Sequence, residues 1–193
     1  MAEVPSTMTL QAGESAPDFS LPDGNGKVHS LVDFSGRKAL VVAFVCNHCP
    51  FVVHLGKAIG EVASELEADG VGFVAISSND VENYPQDSPE KMVEFATANG
   101  WNFPYLYDET QEVARAYFAA CTPDFYVFDA GLELTYCGQF DDSRPSNGKP
   151  VSGSDLREAV ARTVRGELPI EPQLPSSGCN IKWKAGNAPS YFG

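Results

Sequence analysis

The run "KALVVAFVC" over residues 38–46 most narrows what this chain can fold into. It is continuously apolar and rich in β-branched side chains, the pattern of a central strand buried on both faces. Beyond Pro50, "FVVHLGKAIGEVASELEADG" places Val53, Ala58, Val62 and Leu66 at helical spacing, and Asp69-Gly70 supplies a C-terminal stop. The strand therefore passes to a helix directly through Cys46-Asn47-His48-Cys49.

The flanking pattern alternates in the same way. "APDFSLPDGNGKVHSL" carries two extended pieces around Asp23-Gly24-Asn25-Gly26 and predicts a β-hairpin. "VGFVAISSND" predicts a second buried strand, and Ser88-Pro89-Glu90 opens a helix that runs to about Asn99-Gly100. "FPYLYD" predicts a short strand, "TQEVARAYFAA" a short helix, and "DFYVFDAGLELTYCGQF" two strands joined at Asp129-Ala130-Gly131. Asp155 with Glu158 suggests a capping box for a last helix ending near Arg165. The class is α/β: a mixed central sheet flanked by helices, with an N-terminal hairpin extension. Residues 1–11 read as a flexible N-terminus, 12–166 as the domain, and 167–193 as an irregular Pro/Gly-rich tail packed on it.

Charge excludes some functions. The 26 acidic against 13 basic residues give a net charge of -13, with no basic block, which repels phosphate backbones and anionic membranes. No apolar run approaches the roughly 20 residues that span a bilayer, and the N-terminus lacks a secretory signal pattern. A soluble, cytoplasmic protein is expected. Its 5 cysteines are odd in number, so a fully paired disulfide framework is excluded. In a reducing compartment, closely spaced cysteines point to catalysis or metal binding.

A dithiol centre needs one ionised thiol and a second that displaces whatever the first has bound. Cys46 is expected at the helix N-terminus, where free N–H groups and the dipole favour a thiolate, with Cys49 shielded one turn inside. Pro50 fits the opening turn. His48 is expected to stabilise the thiolate and make the couple more oxidising.

Together these residues and Thr122-Pro123 before another strand resemble the thioredoxin fold. The opening "GESAPDFSLPDGNGKVHSLVDFSGRKALVVAF" resembles its alkyl hydroperoxide reductase and thiol-specific antioxidant branch. "CNHCPF", "SND", "YLYDETQEVARAY", "CTPDFYVFD" and "GCNIKW" are similar to soluble, peroxiredoxin-like thioredoxin proteins. The resemblance implies a cis peptide at Pro123 facing the dithiol. Thr122 and Pro123, with Asn47 and His48, would then form the wall that binds substrate. Peroxiredoxins of this superfamily carry proline and threonine shortly before the peroxide-attacking cysteine; "LVVAFV" has neither. Thioredoxins commonly bury an acid beneath the dithiol. Here the strand offers none, and Asp80 is the candidate by its strand-end position, beside Asp108 or Lys57.

The expectation is a thiol-disulfide oxidoreductase in which Cys46 and Cys49 exchange disulfides with protein or small-molecule thiols. A thioredoxin system or glutathione would supply electrons, and no organic cofactor is required. A thiol-dependent peroxidase is the alternative, followed by a copper carrier or redox sensor. Cys46, His48, Cys49 and His54 have metal-ligand chemistry, but no second cluster completes a tetrahedral site. Cys121 and Cys179 are possible auxiliary thiols; each otherwise reads as a structural cysteine, as does Cys137.

Overall fold

The structure is a computed structural model and describes residues 3–192. A short strand, β1 (Glu3–Pro5), precedes the hairpin of β2 (Ser20–Pro22) and β3 (Val28–Ser30), and a 3-10 turn follows at Leu31–Phe34. Then come β4 (Ala39–Phe44), α1 (Pro50–Ala68), β5 (Gly72–Ser77), a second 3-10 turn (Pro85–Asp87) and α2 (Pro89–Ala98). The chain continues through β6 (Tyr105–Tyr107), α3 (Glu112–Ala116), β7 (Cys121–Thr122), β8 (Asp124–Asp129) and β9 (Leu134–Gly138). It closes with α4 (Ser154–Val164) and β10 (Ser177–Asn180).

The central sheet has the order β6-β5-β4-β8-β9. Strands β4, β5 and β6 run parallel, while β8 and β9 are antiparallel to their neighbours. Every residue of β4 is buried, because its alternating side chains feed two cores. Ala39, Val41 and Ala43 join the core under α1 and α4, where Ile59 and Leu156 pack. Leu40, Val42 and Phe44 join the opposite core, with Tyr117 and with Phe19 from the segment entering the hairpin.

Four expectations are corrected. Val53 is exposed; the buried stripe of α1 runs through Val52, Leu55, Ile59, Val62 and Leu66. Asp155 does not cap α4. The cap is Gly153, at φ 65°, and the Asp155 carboxylate takes the Gln139 amide at 2.7 Å. The lead-in expected to be flexible forms β1, apart from residues 1–2, which lie outside the described residues. The tail is not wholly irregular: β10 lies between β1 and β7, antiparallel to both. No helix among the described residues is long and apolar enough to cross a membrane.

Candidate active site

Two residues beyond the end of β4, the chain turns through Cys46, Asn47 and His48 into α1. Cys49 is the N-cap of that helix rather than a residue one turn inside it; its φ and ψ of -68° and 122° are extended, and Pro50 takes the first helical position. Both cysteines are buried, 1% and 0% exposed, and both belong to the core packed under α1.

Thr122 closes the other side. Its hydroxyl lies 3.4 Å from Cys46 Sγ, and its carbonyl lies 3.1 Å from Cys49 Sγ, where it accepts from that thiol when the thiol is protonated. The Thr122–Pro123 peptide bond is cis. A strand of two residues thus brings both polar groups of Thr122 onto the two sulfurs.

The charge of the pair settles differently from the sequence expectation. Cys49 is lowered to about 5, first by the hydrogen bond from the Cys46 thiol and then by donation from Cys179 and the backbone N–H groups of Val52 and Cys179; burial opposes this. Cys46 is raised well above the ordinary thiol range by that same bond to Cys49, by burial and by the nearby Asp87 carboxylate. The two shifts run in opposite directions, as they do where two neighbouring thiols lose their protons in separate steps.

Asp87 is the residue that sequence reasoning missed. It is fully buried, and its carboxylate accepts from the backbone N–H groups of Asn47 at 2.8 Å and His48 at 3.3 Å, and from Asn79 Nδ2 at 2.8 Å. The two backbone N–H groups meet Oδ1, while Asn79 shares Oδ2 with His48 Nδ1, which lies 2.6 Å from it. The imidazole expected to bond the thiolate is thus engaged with Asp87, and it stacks on Tyr84 at 5.6 Å between centroids. Asn47 is fixed by its amide donating to Gln86 O at 3.0 Å and by Tyr105 OH donating to its Oδ1 at 3.0 Å. The loop between the cysteines is consequently pinned at backbone and side chains.

Cys46, His48 and Asp87 present donor atoms within 4.8 Å of one another. That is the set which could hold a metal ion, but only by giving up the His48–Asp87 bond, and it supplies three ligands where soft tetrahedral ions take four.

The remaining candidates are placed as follows. The Asp80 carboxylate receives Glu82 N and Asn83 Nδ2 within its own turn. Asp108 receives Ser78 Oγ and Ala114 N beside α3, and Lys57 is exposed near Glu61. His54 bonds Ser143 at 3.2 Å, and His29 lies 3.3 Å from Asp23. Cys121 is buried with its thiol toward Pro123 O at 3.6 Å, and Cys137 is buried beside Ser6 at 3.8 Å. Cys179, by contrast, is buried opposite Thr122, whose hydroxyl and carbonyl meet the two sulfurs. Asp124, directly after Pro123, is a second unanticipated acid: burial raises it to about 7, against hydrogen bonds from Ser6, Tyr126 and Ser176.

A mixed sheet flanked by helices, with a Cys-to-Cys turn at the head of a helix and a cis proline opposite it, places the chain among oxidoreductases of thioredoxin-like fold. Residues 12–137 match the AhpC/TSA family, and the chain belongs to that family. It is 30% identical to peroxiredoxin Bcp of Escherichia coli over 77% of this chain and 97% of that protein. A solved, uncharacterised conserved protein from Geobacillus kaustophilus is 51% identical, with a TM-score of 0.92 over 95% of this chain and 97% of that one. The thioredoxin domain of a thiol-disulfide oxidoreductase from Bacteroides vulgatus shares the fold at 15% identity, with a TM-score of 0.60 over 78% of this chain and 98% of its own.

Proposed function

We propose that the chain is a thiol-disulfide oxidoreductase that exchanges two electrons with disulfide substrates through Cys46 and Cys49. The observation that carries this is the pair of buried sulfurs at the head of α1, one against the hydroxyl and the other against the carbonyl of Thr122, which precedes the cis proline. A thiolate is the attacking form in disulfide exchange, and a second thiol in contact with it displaces the mixed disulfide without diffusion. The product is the Cys46–Cys49 disulfide and a reduced substrate. Asn47 and His48 serve by holding the turn through Asp87, and Thr122 with Pro123 forms the wall against which the substrate lies. A thioredoxin system or glutathione restores the dithiol.

The second reading is a thiol peroxidase, favoured by the identity with peroxiredoxin Bcp. There one sulfur is oxidised by peroxide to a sulfenic acid, and the other condenses with it, releasing water. The Thr122 hydroxyl beside Cys46 supplies the polar neighbour absent from β4 itself.

Two assays with dithiothreitol as electron source separate the readings. Reduction of hydroxyethyl disulfide is expected to be catalysed and to be lost in Cys46→Ser and Cys49→Ser, with slower consumption of hydrogen peroxide. Rapid peroxide consumption by a protein inert toward the disulfide would replace the first reading with the second.

A further inference from the structure

The edge of β7 beside the dithiol is filled by the chain itself. Strand β10 pairs there antiparallel, with Cys179 opposite Thr122 and Asn180 opposite Cys121. Directly opposed residues of an antiparallel pair share a face, and successive residues alternate. Thr122 faces the two sulfurs, so Cys179 faces them too, while Cys121 is turned away toward Pro123 O. Cys179 is buried in the same core as Cys46 and Cys49, on the face of the strand pair that Thr122 turns toward the two sulfurs.

The approach of β10 is built, not incidental. Gly178 lies so close that a Cβ there would stand 2.0 Å from Thr122 O. On its far side β10 is held by β1, where Glu3 opposes Cys179, and Ser6 N donates to Ser176 O at 2.8 Å. An extended segment carrying a cysteine thus lies across the dithiol in the manner of a bound peptide strand.

We propose that Cys179 is a third redox thiol, which takes over the disulfide from Cys46 by bonding to Cys49. This rests on the dithiol reading given above. The sulfur of Cys179 attacks Cys49 Sγ in the Cys46–Cys49 disulfide. A Cys49–Cys179 bond forms, the Cys46–Cys49 bond breaks with its electron pair on Cys46, and the proton of Cys179 passes to Cys46. No electrons are gained or lost, so one thiol is traded for another. The Cys46 thiol is released, and β10 becomes covalently fixed over Thr122.

The test is oxidation of the full chain with diamide, blocking of free thiols with N-ethylmaleimide, and mass mapping of unreduced peptides. In the wild type, both Cys46–Cys49 and Cys49–Cys179 linkages are expected. In Cys46→Ser, Cys49 and Cys179 lose their free thiols together, and the Cys49–Cys179 peptide is the major crosslink. In Cys179→Ser, only Cys46–Cys49 remains. If Cys49–Cys179 is absent from both the wild type and Cys46→Ser while Cys46–Cys49 forms in the wild type, the proposal falls and the dithiol reading stands. If Cys49 instead links to Cys121 in Cys46→Ser, the proposal falls as well. If the wild type forms no Cys46–Cys49 bond, both fall.

Discussion

The lowering of Cys49 and the raising of Cys46 give the pair a measurable redox signature. Between about 5, where Cys49 ionises, and the much higher value to which Cys46 is driven, reduction of the disulfide takes up two electrons and one proton. The midpoint potential should then fall by about 30 mV per pH unit across that interval, and twice as steeply below it. Asp87→Asn removes the negative charge facing Cys46, so the upper break in this plot should move to lower pH. A redox titration against glutathione at several pH values checks both; a steep slope through pH 7 would show that neither thiol is ionised there. The turn from Cys46 to Cys49 into a helix was legible because strand, dithiol and helix follow one another in the chain, and the cis bond at Pro123 was implied by the family resemblance. Asp87 was not, since it acts on residues 39 and 40 positions earlier and no periodicity marks it.

Among the elements, β10 bears most directly on access to the sulfurs. Gly178→Ala puts a methyl group against Thr122 O, so β10 must shift, at a cost of about 1–3 kcal/mol typical of overpacking. The expected result is a lower Tm together with faster alkylation of Cys179 by iodoacetamide in the reduced protein. Unchanged Tm and alkylation would mean that the strand does not hold its close approach in solution. The long elements β4, α1, β5, β8 and β9 could be read from apolar runs and helical spacing, because each buries a face that its own composition announces. Strands β1 and β10 could not: "EVP" and "SGCN" have no such pattern, and their extended form is imposed by the edge they pair with. The same reason explains α4, whose start is fixed by the left-handed Gly153 while Asp155 is drawn to Gln139.

Over the whole molecule, the excess of acidic residues sets a field that any charged substrate meets before it reaches the dithiol. With a net charge of -13, attraction should speed reaction with a cationic disulfide such as cystamine and slow that with anionic dithiobis-nitrobenzoate. Stopped-flow rates from low to high salt should therefore move in opposite directions, the first falling and the second rising. Parallel trends would show that the local surroundings of the sulfurs outweigh the overall charge.

The pairing of residue 3 with residue 179 also dictates an order of events during biosynthesis. Contacts between such distant positions close late, after local turns and neighbouring strands have formed. While a ribosome is still translating the last segment, α1 and its sulfurs are already outside, and the groove awaiting β10 is vacant. The newborn polypeptide thus passes through an interval in which its redox centre lies open to oxidants and to other nascent chains, an exposure that ends when the final strand arrives.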